Sequence, residues 1–93
     1  MRTDIEVTEE DQGSYLVQVG EGRSKTTHRV AVPPGLAYRL GGGSVSDVAL
    51  VEESFRFLLE HEPNTSILRR FSIEQIGDYF PQWESEMTRR LAK

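Results

Sequence analysis

Hydrophobic and polar residues alternate with a period of two along the first third of the chain. This alternation is typical of half-buried β-strands, and turn residues separate three such stretches, IEVTEE, SYLVQV and TTHRVAV. The links between them are short and contain glycine, so consecutive strands should pair antiparallel as a meander. Pro33 and Pro34 end the third strand because proline cannot donate to a ladder. The residues on the apolar strand faces are Ile5, Val7, Tyr15, Val17, Val19, His28, Val30 and Val32.

The period changes to that of an α-helix between Ser46 and about Glu62. Ser46 is a suitable N-cap, and two separate apolar stripes follow it along the segment. The first stripe comprises Val48, Val51, Phe55, Leu58 and Leu59, and the second comprises Leu50, Ser54 and Phe57. A helix with two apolar stripes must be covered on two sides. We expect the sheet to cover one side and the C-terminal third to cover the other.

Prolines and capping residues divide the rest of the chain. Pro63 stops the long helix. Ser72 and Gln75 have the spacing of a capping box, so a new helix should start near Ile73. That helix should bend or end before Pro81, and a last helix follows it.

These patterns predict an α+β fold in a single globular domain, residues 1–93. A three-stranded antiparallel β-meander occupies residues 1–34, and one long helix with two or three short C-terminal helices occupies residues 46–93. Residues 35–45 form a connector between the two parts. Its expected anchors are Leu36, Tyr38 and Leu40.

Composition and charge exclude several kinds of site and argue against several kinds of binding partner. The chain has 93 residues, no cysteine and a net charge of −4. The absence of cysteine excludes a disulfide framework, a thiolate zinc site and a thiol nucleophile. Net acidity argues against a general nucleic-acid binder and against attraction to an anionic membrane surface. No apolar run has the length of a signal peptide or a membrane span, so we expect a cytoplasmic protein without a membrane association.

Three consecutive glycines, Gly41, Gly42 and Gly43, precede the long helix. Backbone amides at a helix N-terminus can bind a phosphate, and the hydroxyls of Ser44 and Ser46 could add donors. The spacing matches neither of the two common phosphate-binding glycine motifs, and no lysine lies in the loop. The pattern therefore favours a turn, with an anion site as the alternative.

Two arginine pairs, Arg69–Arg70 and Arg89–Arg90, are the candidate nucleic-acid contacts. Phosphate recognition is local, so a basic patch could act despite the net acidity. The sheet lacks the pair of aromatic residues that RNA-stacking platforms use. Solvated arginines paired with glutamates are the favoured interpretation.

Six of the eight Phe, Tyr and Trp residues lie between Phe55 and Trp83. Most of them should form the core between the helices. Tyr79, Phe80 and Trp83 surround Pro81 and are the best candidates for a self-association or partner-binding patch.

The two histidines are weak candidates for catalysis or metal binding. His28 lies on the apolar face of its strand, and a general base would need a partner that the sequence cannot show. His61 lies at a helix end between two glutamates, and adjacent helical residues do not share a face. We expect no metal site and no cofactor.

The run VEESFRFLLEHEPNTSILRRF, followed by IGDYFPQWESEM, resembles the C-terminal half of a family of small uncharacterised bacterial proteins. The shared pattern is F-x-F-L-L-E-x-E-P, then S-I-L-x-x-F, then Y-F-P, and it spans about residues 46–87. The resemblance implies no established activity or site. The order of sheet and helices is also similar to that of small antitoxins of the HicB type, which is an analogy of fold alone.

Three functional hypotheses follow from the sequence. The favoured one is a non-catalytic protein-binding or interaction module. The alternative is a nucleic-acid-associated or antitoxin-like regulator that uses the two arginine pairs. The third is a phosphate-binding enzyme that uses the Gly41–Gly43 loop together with His28.

Overall fold

A computed structural model describes residues 3–92. The predicted meander is present as β1 (Thr3–Asp11), β2 (Ser14–Glu21) and β3 (Ser24–Ala31), which pair antiparallel. Gly13 and Gly22 have positive φ angles of 79° and 60°, and they make the two tight turns between these strands.

The register brings the apolar residues of the three strands onto one face of the sheet. Val17 lies between Val7 on β1 and His28 on β3. Val17 and His28 are fully buried, whereas their neighbours in sequence on each strand point to the opposite face, where they are half-buried on β2 and exposed on β3. The period-two interpretation of this region is therefore confirmed.

The sheet has a fourth strand, β4 (Arg70–Ser72), which pairs parallel to β3. The strand order is β1-β2-β3-β4, so the sheet is mixed and the prediction of a three-stranded antiparallel sheet is wrong. A strand of three residues is too short to show an alternating pattern. Its partner also lies far away in sequence, with Phe71 opposite Val30.

A short helix, α1 (Leu36–Gly41), occupies part of the predicted connector. Leu36 and Leu40 are buried as expected of anchors, and Ala37 is buried beside them. The expectation for Tyr38 is wrong, because its side chain is 68% exposed. Residues four apart share a helical face, so a single turn buries Leu36 and Leu40 and directs the side chain between them outward.

The long helix is α2 (Asp47–His61), close to its predicted bounds. The Ser46 hydroxyl accepts a hydrogen bond from the amide of Ala49 at 3.1 Å, which confirms Ser46 as the N-cap. α2 contacts β1 on one side and a C-terminal helix on the other. The stripe residues that these contacts bury are Leu50, Val51, Ser54, Phe55, Phe57 and Leu58. The first predicted stripe is exposed at its N-terminal end, because Val48 is 38% exposed, and Leu59 is half-buried.

The C-terminal third contains α3 (Ile76–Tyr79) and α4 (Trp83–Leu91), together with 3₁₀ turns at Asn64–Ser66 and Ile73–Gln75. The predicted capping box is present at Ser72, and the helical path begins at Ile73 as a 3₁₀ turn. α4 packs against α1 and α2 and completes the core. No helix in residues 3–92 combines the length and the apolar composition needed to cross a membrane.

Candidate functional site

An apolar groove opens beside the edge strand of the sheet, between the C-terminal half of α2, the segment that leads into β4, and α3. We call it the β4 groove, and its cavity volume is about 220 Å³. The residues that line it are Leu58, Glu62, Ser66, Ile67, Leu68, Phe71, Gln75, Ile76, Tyr79 and Phe80.

The segment between α2 and β4 is held against the sheet by the side chain of Asn64. Its Nδ2 donates to the carbonyl oxygen of Val19 at 3.4 Å, and its backbone amide donates to the Glu21 carboxylate at 3.1 Å. Asn64 is buried, so these bonds replace the water that its amide group loses on folding. One wall of the β4 groove is thereby fixed to β2.

His28 fixes the same wall from β3. Its Nδ1 lies 2.7 Å from the carbonyl oxygen of Leu68, and its Nε2 lies 2.8 Å from the hydroxyl of Thr26. A carbonyl oxygen only accepts, so Nδ1 carries the proton and neutral Nε2 accepts from Thr26. Burial lowers the pKa of His28, with a smaller contribution from the nearby Arg69 charge and an opposing one from the Leu68 carbonyl. Both ring nitrogens make hydrogen bonds within the protein. The role of His28 is therefore structural, since it joins β3 to the segment that leads into β4.

Two large apolar side chains at the β4 groove remain exposed. Leu68 is 47% exposed and Tyr79 is 67% exposed. Phe80 is half-buried beside them, where its ring lies edge-on to Phe57 at 5.7 Å and stacks on His61 at 4.9 Å. The groove is therefore lined by one aromatic ring that packs against neighbouring rings, Phe80, and by two accessible apolar residues.

Glu62 is the only carboxylate among the lining residues. Burial raises the pKa of Glu62, and the adjacent His61 opposes this effect only in part. None of the ion pairs between described residues involves Glu62. The polar neighbour Gln75 is already engaged, since its side-chain oxygen accepts from the Ser72 amide at 2.9 Å.

The structure separates the three residues of the predicted aromatic patch. Tyr79 and Phe80 line the β4 groove, whereas Trp83 is 1% exposed in the core. Trp83 Nε1 donates to the hydroxyl of Ser54 at 3.0 Å, which satisfies the indole and explains a serine on an apolar helix stripe. Leu68 was missed by the sequence reasoning because it follows another apolar residue and only the fold shows which of the two is buried.

The three glycines allow close packing and a turn. A Cβ on Gly41 would lie 2.7 Å from Val45 Cγ2 and 3.0 Å from Leu91 Cβ, so a side chain there would clash. Gly42 has a φ of +94°, which disfavours other residues, and Gly43 lies against the ring of Tyr38. Close packing at Gly41 and the backbone angle at Gly42 account for these two glycines without a ligand.

Ser46, one of the predicted anion donors, has a structural role at the start of α2. Ser46 caps α2, and the next residue, Asp47, accepts a hydrogen bond from the Tyr15 hydroxyl at 2.9 Å. The depression beside the loop, where Ser44 also lies, contains two glutamates and two arginines, Glu52, Glu53, Arg56 and Arg90. Its formal charges cancel, which gives an anion no net attraction.

The two arginine pairs have different surroundings. Arg90 is 17% exposed at its side chain and contacts three carboxylates, Glu53, Glu60 and Glu86. Its guanidinium also lies 5.7 Å from the centre of the Phe57 ring. Arg89 pairs with Glu86 at 2.6 Å, as the interpretation of solvated arginines expects for this pair.

Arg69 and Arg70 are exposed at the start of β4 and make no ion pair with another described residue. Arg70 lies opposite Arg29 in the β3–β4 register, and Arg29 pairs with Glu10. These two arginines are accessible to a ligand, unlike Arg90.

In residues 3–92, no three His, Asp or Glu side chains lie together as metal ligands would. Comparisons of the chain with protein-family models, with curated proteins and with solved structures found no match.

Proposed function

We propose that this chain is a non-catalytic, cytoplasmic protein-interaction module whose β4 groove accepts an apolar side chain of a partner protein. The observation that carries the proposal is the groove itself, an apolar concavity with Leu68 and Tyr79 exposed at it. Exposed apolar residues beside a concavity favour association, because a partner removes their surface from water.

The size of the β4 groove supports a polypeptide ligand. Small-molecule sites typically enclose about 300–1,000 Å³, and the cavity here is about 220 Å³. That volume suits one or two side chains of a larger partner. Tyrosine is also a frequent energetic centre of protein interfaces, since its ring buries a large area and its hydroxyl still reaches water or a polar group.

The chemistry around the groove supports binding over catalysis. His28, which lies behind the groove wall, uses both ring nitrogens within the protein. Nucleophilic catalysis requires a nucleophile within hydrogen-bond reach of a base that is itself oriented by a third group. The lining residues offer Glu62 as a base, and no such oriented set accompanies it.

The proposal is tested by substituting one of two equally exposed tyrosines. Tyr79 is 67% exposed at the groove, and Tyr38 is 68% exposed on α1, outside the groove. We expect the wild type and Tyr38→Ala to capture the same proteins from an extract of the source organism. Tyr79→Ala should fail to capture them. Equal capture by both variants, measured by quantitative mass spectrometry, would show that the groove is not the binding surface.

A nucleic-acid-associated or antitoxin-like regulator is the second candidate. It is supported by the exposed Arg69 and Arg70, which have no ion-pair partner among the described residues. It predicts oligonucleotide binding that weakens with added salt and is lost in an Arg69→Gln, Arg70→Gln double variant. Arg89→Gln is the matched control, because Arg89 already pairs with Glu86.

A further inference from the structure

We infer that the partner segment carries an arginine or lysine next to its apolar anchor, and that this cation pairs with Glu62 when the anchor fills the β4 groove. The inference rests on the proposed function and names the chemistry of the partner. Glu62 lines the groove together with the apolar residues, so an occupant of the cavity lies beside Glu62.

An apolar occupant alone fits this groove poorly. It would exclude water from Glu62 without giving the carboxylate a new partner, and unpaired buried charges are strongly disfavoured. Burial already raises the pKa of Glu62 in the free protein, which indicates that the carboxylate has lost part of its hydration. When the groove is filled, the Glu62 carboxylate loses the rest of its hydration, and a cation on the partner compensates for that loss.

No basic side chain among the described residues forms an ion pair with Glu62. His61 is adjacent to Glu62 and partly offsets the effect of burial on the pKa of Glu62, but it forms no ion pair with Glu62. The His61 ring packs against the rings of Phe57 and Phe80, at centroid distances of 4.7 and 4.9 Å. Arg90 is held by its carboxylates on α2 and α4. Arg69 follows Leu68 in the chain but forms no ion pair with Glu62. Glu62 thus remains available to a cation from outside.

The same geometry favours arginine over lysine in the partner. A guanidinium can pair with a carboxylate through two N–H groups while its flat face stacks on an aromatic ring. Tyr79 and Phe80 provide rings in the same groove as Glu62. A glutamate in place of that arginine would face Glu62 with a like charge, so we expect it to weaken binding.

Matched peptides test the inference with the full-length protein. The probes are acetylated and amidated pentapeptides in which a leucine is flanked by arginine on one side or the other. Each is compared with the same peptide carrying neutral citrulline, and with one carrying glutamate, in place of arginine. Binding is followed by amide-resolved NMR of the labelled protein.

We expect the arginine peptides to shift the amides of residues 66–68 and 76–80 and to bind about 10-fold more tightly than the citrulline peptides, equivalent to about 1.4 kcal/mol. Glu62→Gln should remove this preference. Glu74→Gln should keep it, because Glu74 is exposed on the adjoining turn and does not line the groove.

The outcomes separate the inference from the proposed function. Equal binding of arginine and citrulline peptides at the groove would overturn the inference and leave the proposed function standing. If Glu62→Gln and Glu74→Gln reduce the preference for arginine over citrulline equally, the inference is also overturned, because the net negative charge of the protein would then explain the preference. If no peptide shifts the groove amides, both the inference and the proposed function are contradicted.

Discussion

His28 on β3 donates a hydrogen bond from Nδ1 to the carbonyl oxygen of Leu68 at 2.7 Å. This bond joins the centre of the sheet to the segment that forms one wall of the β4 groove. Because His28 is fully buried and its ring must be neutral to accept from Thr26, the groove wall depends on a titratable group. The His28–Leu68 hydrogen bond therefore links the pH dependence of folding stability to the structure of the candidate binding surface.

The first prediction concerns acid stability. The pKa of His28 is lowered in the folded protein, so the unfolded chain binds more protons below its ordinary pKa of about 6.5. The free energy of unfolding should therefore fall as the pH decreases from 7.5 to 5. His28→Asn, which keeps a donor near Nδ1 but cannot titrate, should be less stable at pH 7.5 and should show a flatter pH dependence.

Urea denaturation at several pH values measures this effect, and His61→Asn is the control for the other histidine. Long-range ¹⁵N NMR of the imidazole should also report a proton on Nδ1 of His28 at neutral pH. A proton on Nε2 instead, or an unchanged pH dependence in His28→Asn, would contradict this structural role of His28.

The second prediction distinguishes core from surface among the C-terminal aromatics. Trp83→Ala should lower the free energy of unfolding by about 3–5 kcal/mol, because it removes a fully buried ring and its hydrogen bond to the Ser54 hydroxyl. Tyr79→Ala should change it by less than about 0.5 kcal/mol, as is usual for exposed positions. Similar losses in the two variants, measured by chemical denaturation, would mean that Tyr79 belongs to the core.

The third prediction concerns the glycine loop. Gly41→Ala should destabilise the protein by about 1–3 kcal/mol, because the added Cβ meets Val45 and Leu91 at clashing distances. Gly43→Ala should cost less than about 0.5 kcal/mol, since its Cβ meets only the exposed ring of Tyr38 at 3.3 Å. If the order of the two losses is reversed, the packing account of the loop is wrong.

The fourth prediction concerns the ion pairs between α4 and α2. Arg90→Met should cost about 1–2 kcal/mol, more than an isolated surface pair, because Arg90 contacts three carboxylates with little exposure. Arg89→Met should cost no more than about 0.5 kcal/mol, since Arg89 is 67% exposed and has one partner. The difference should shrink in 1 M NaCl, and equal, salt-independent losses would indicate an effect of packing alone.

Local patterns were sufficient to predict the meander, the long helix and the capping box at Ser72. Each depends on residues a few positions apart, such as the alternation through Val17 or the cap at Ser46. β4 could not be predicted, because its three residues become a strand only through pairing with distant β3. Tertiary pairing decides such short elements, and sequence periodicity carries too few positions to show it.

The candidate site was predicted only in part for a similar reason. The aromatic content near Pro81 pointed to Tyr79 and Phe80, which do line the β4 groove. Trp83 belongs to the same aromatic-rich stretch, but its indole is buried in the core, where it donates a hydrogen bond to the Ser54 hydroxyl of another helix. The contributions of Leu68 and Glu62 depend on the path of the chain between α2 and β4, which Asn64 and His28 fix through long-range hydrogen bonds.

Photo-crosslinking in cells tests the central claim most directly, that the β4 groove contacts a partner protein. A benzophenone amino acid is placed at Tyr79, and at the equally exposed Tyr38 as the control. The account predicts a discrete protein adduct from position 79, absent from position 38, that disappears when Leu68 is changed to serine. No adduct at position 79, or the same adducts at both positions, would contradict the account.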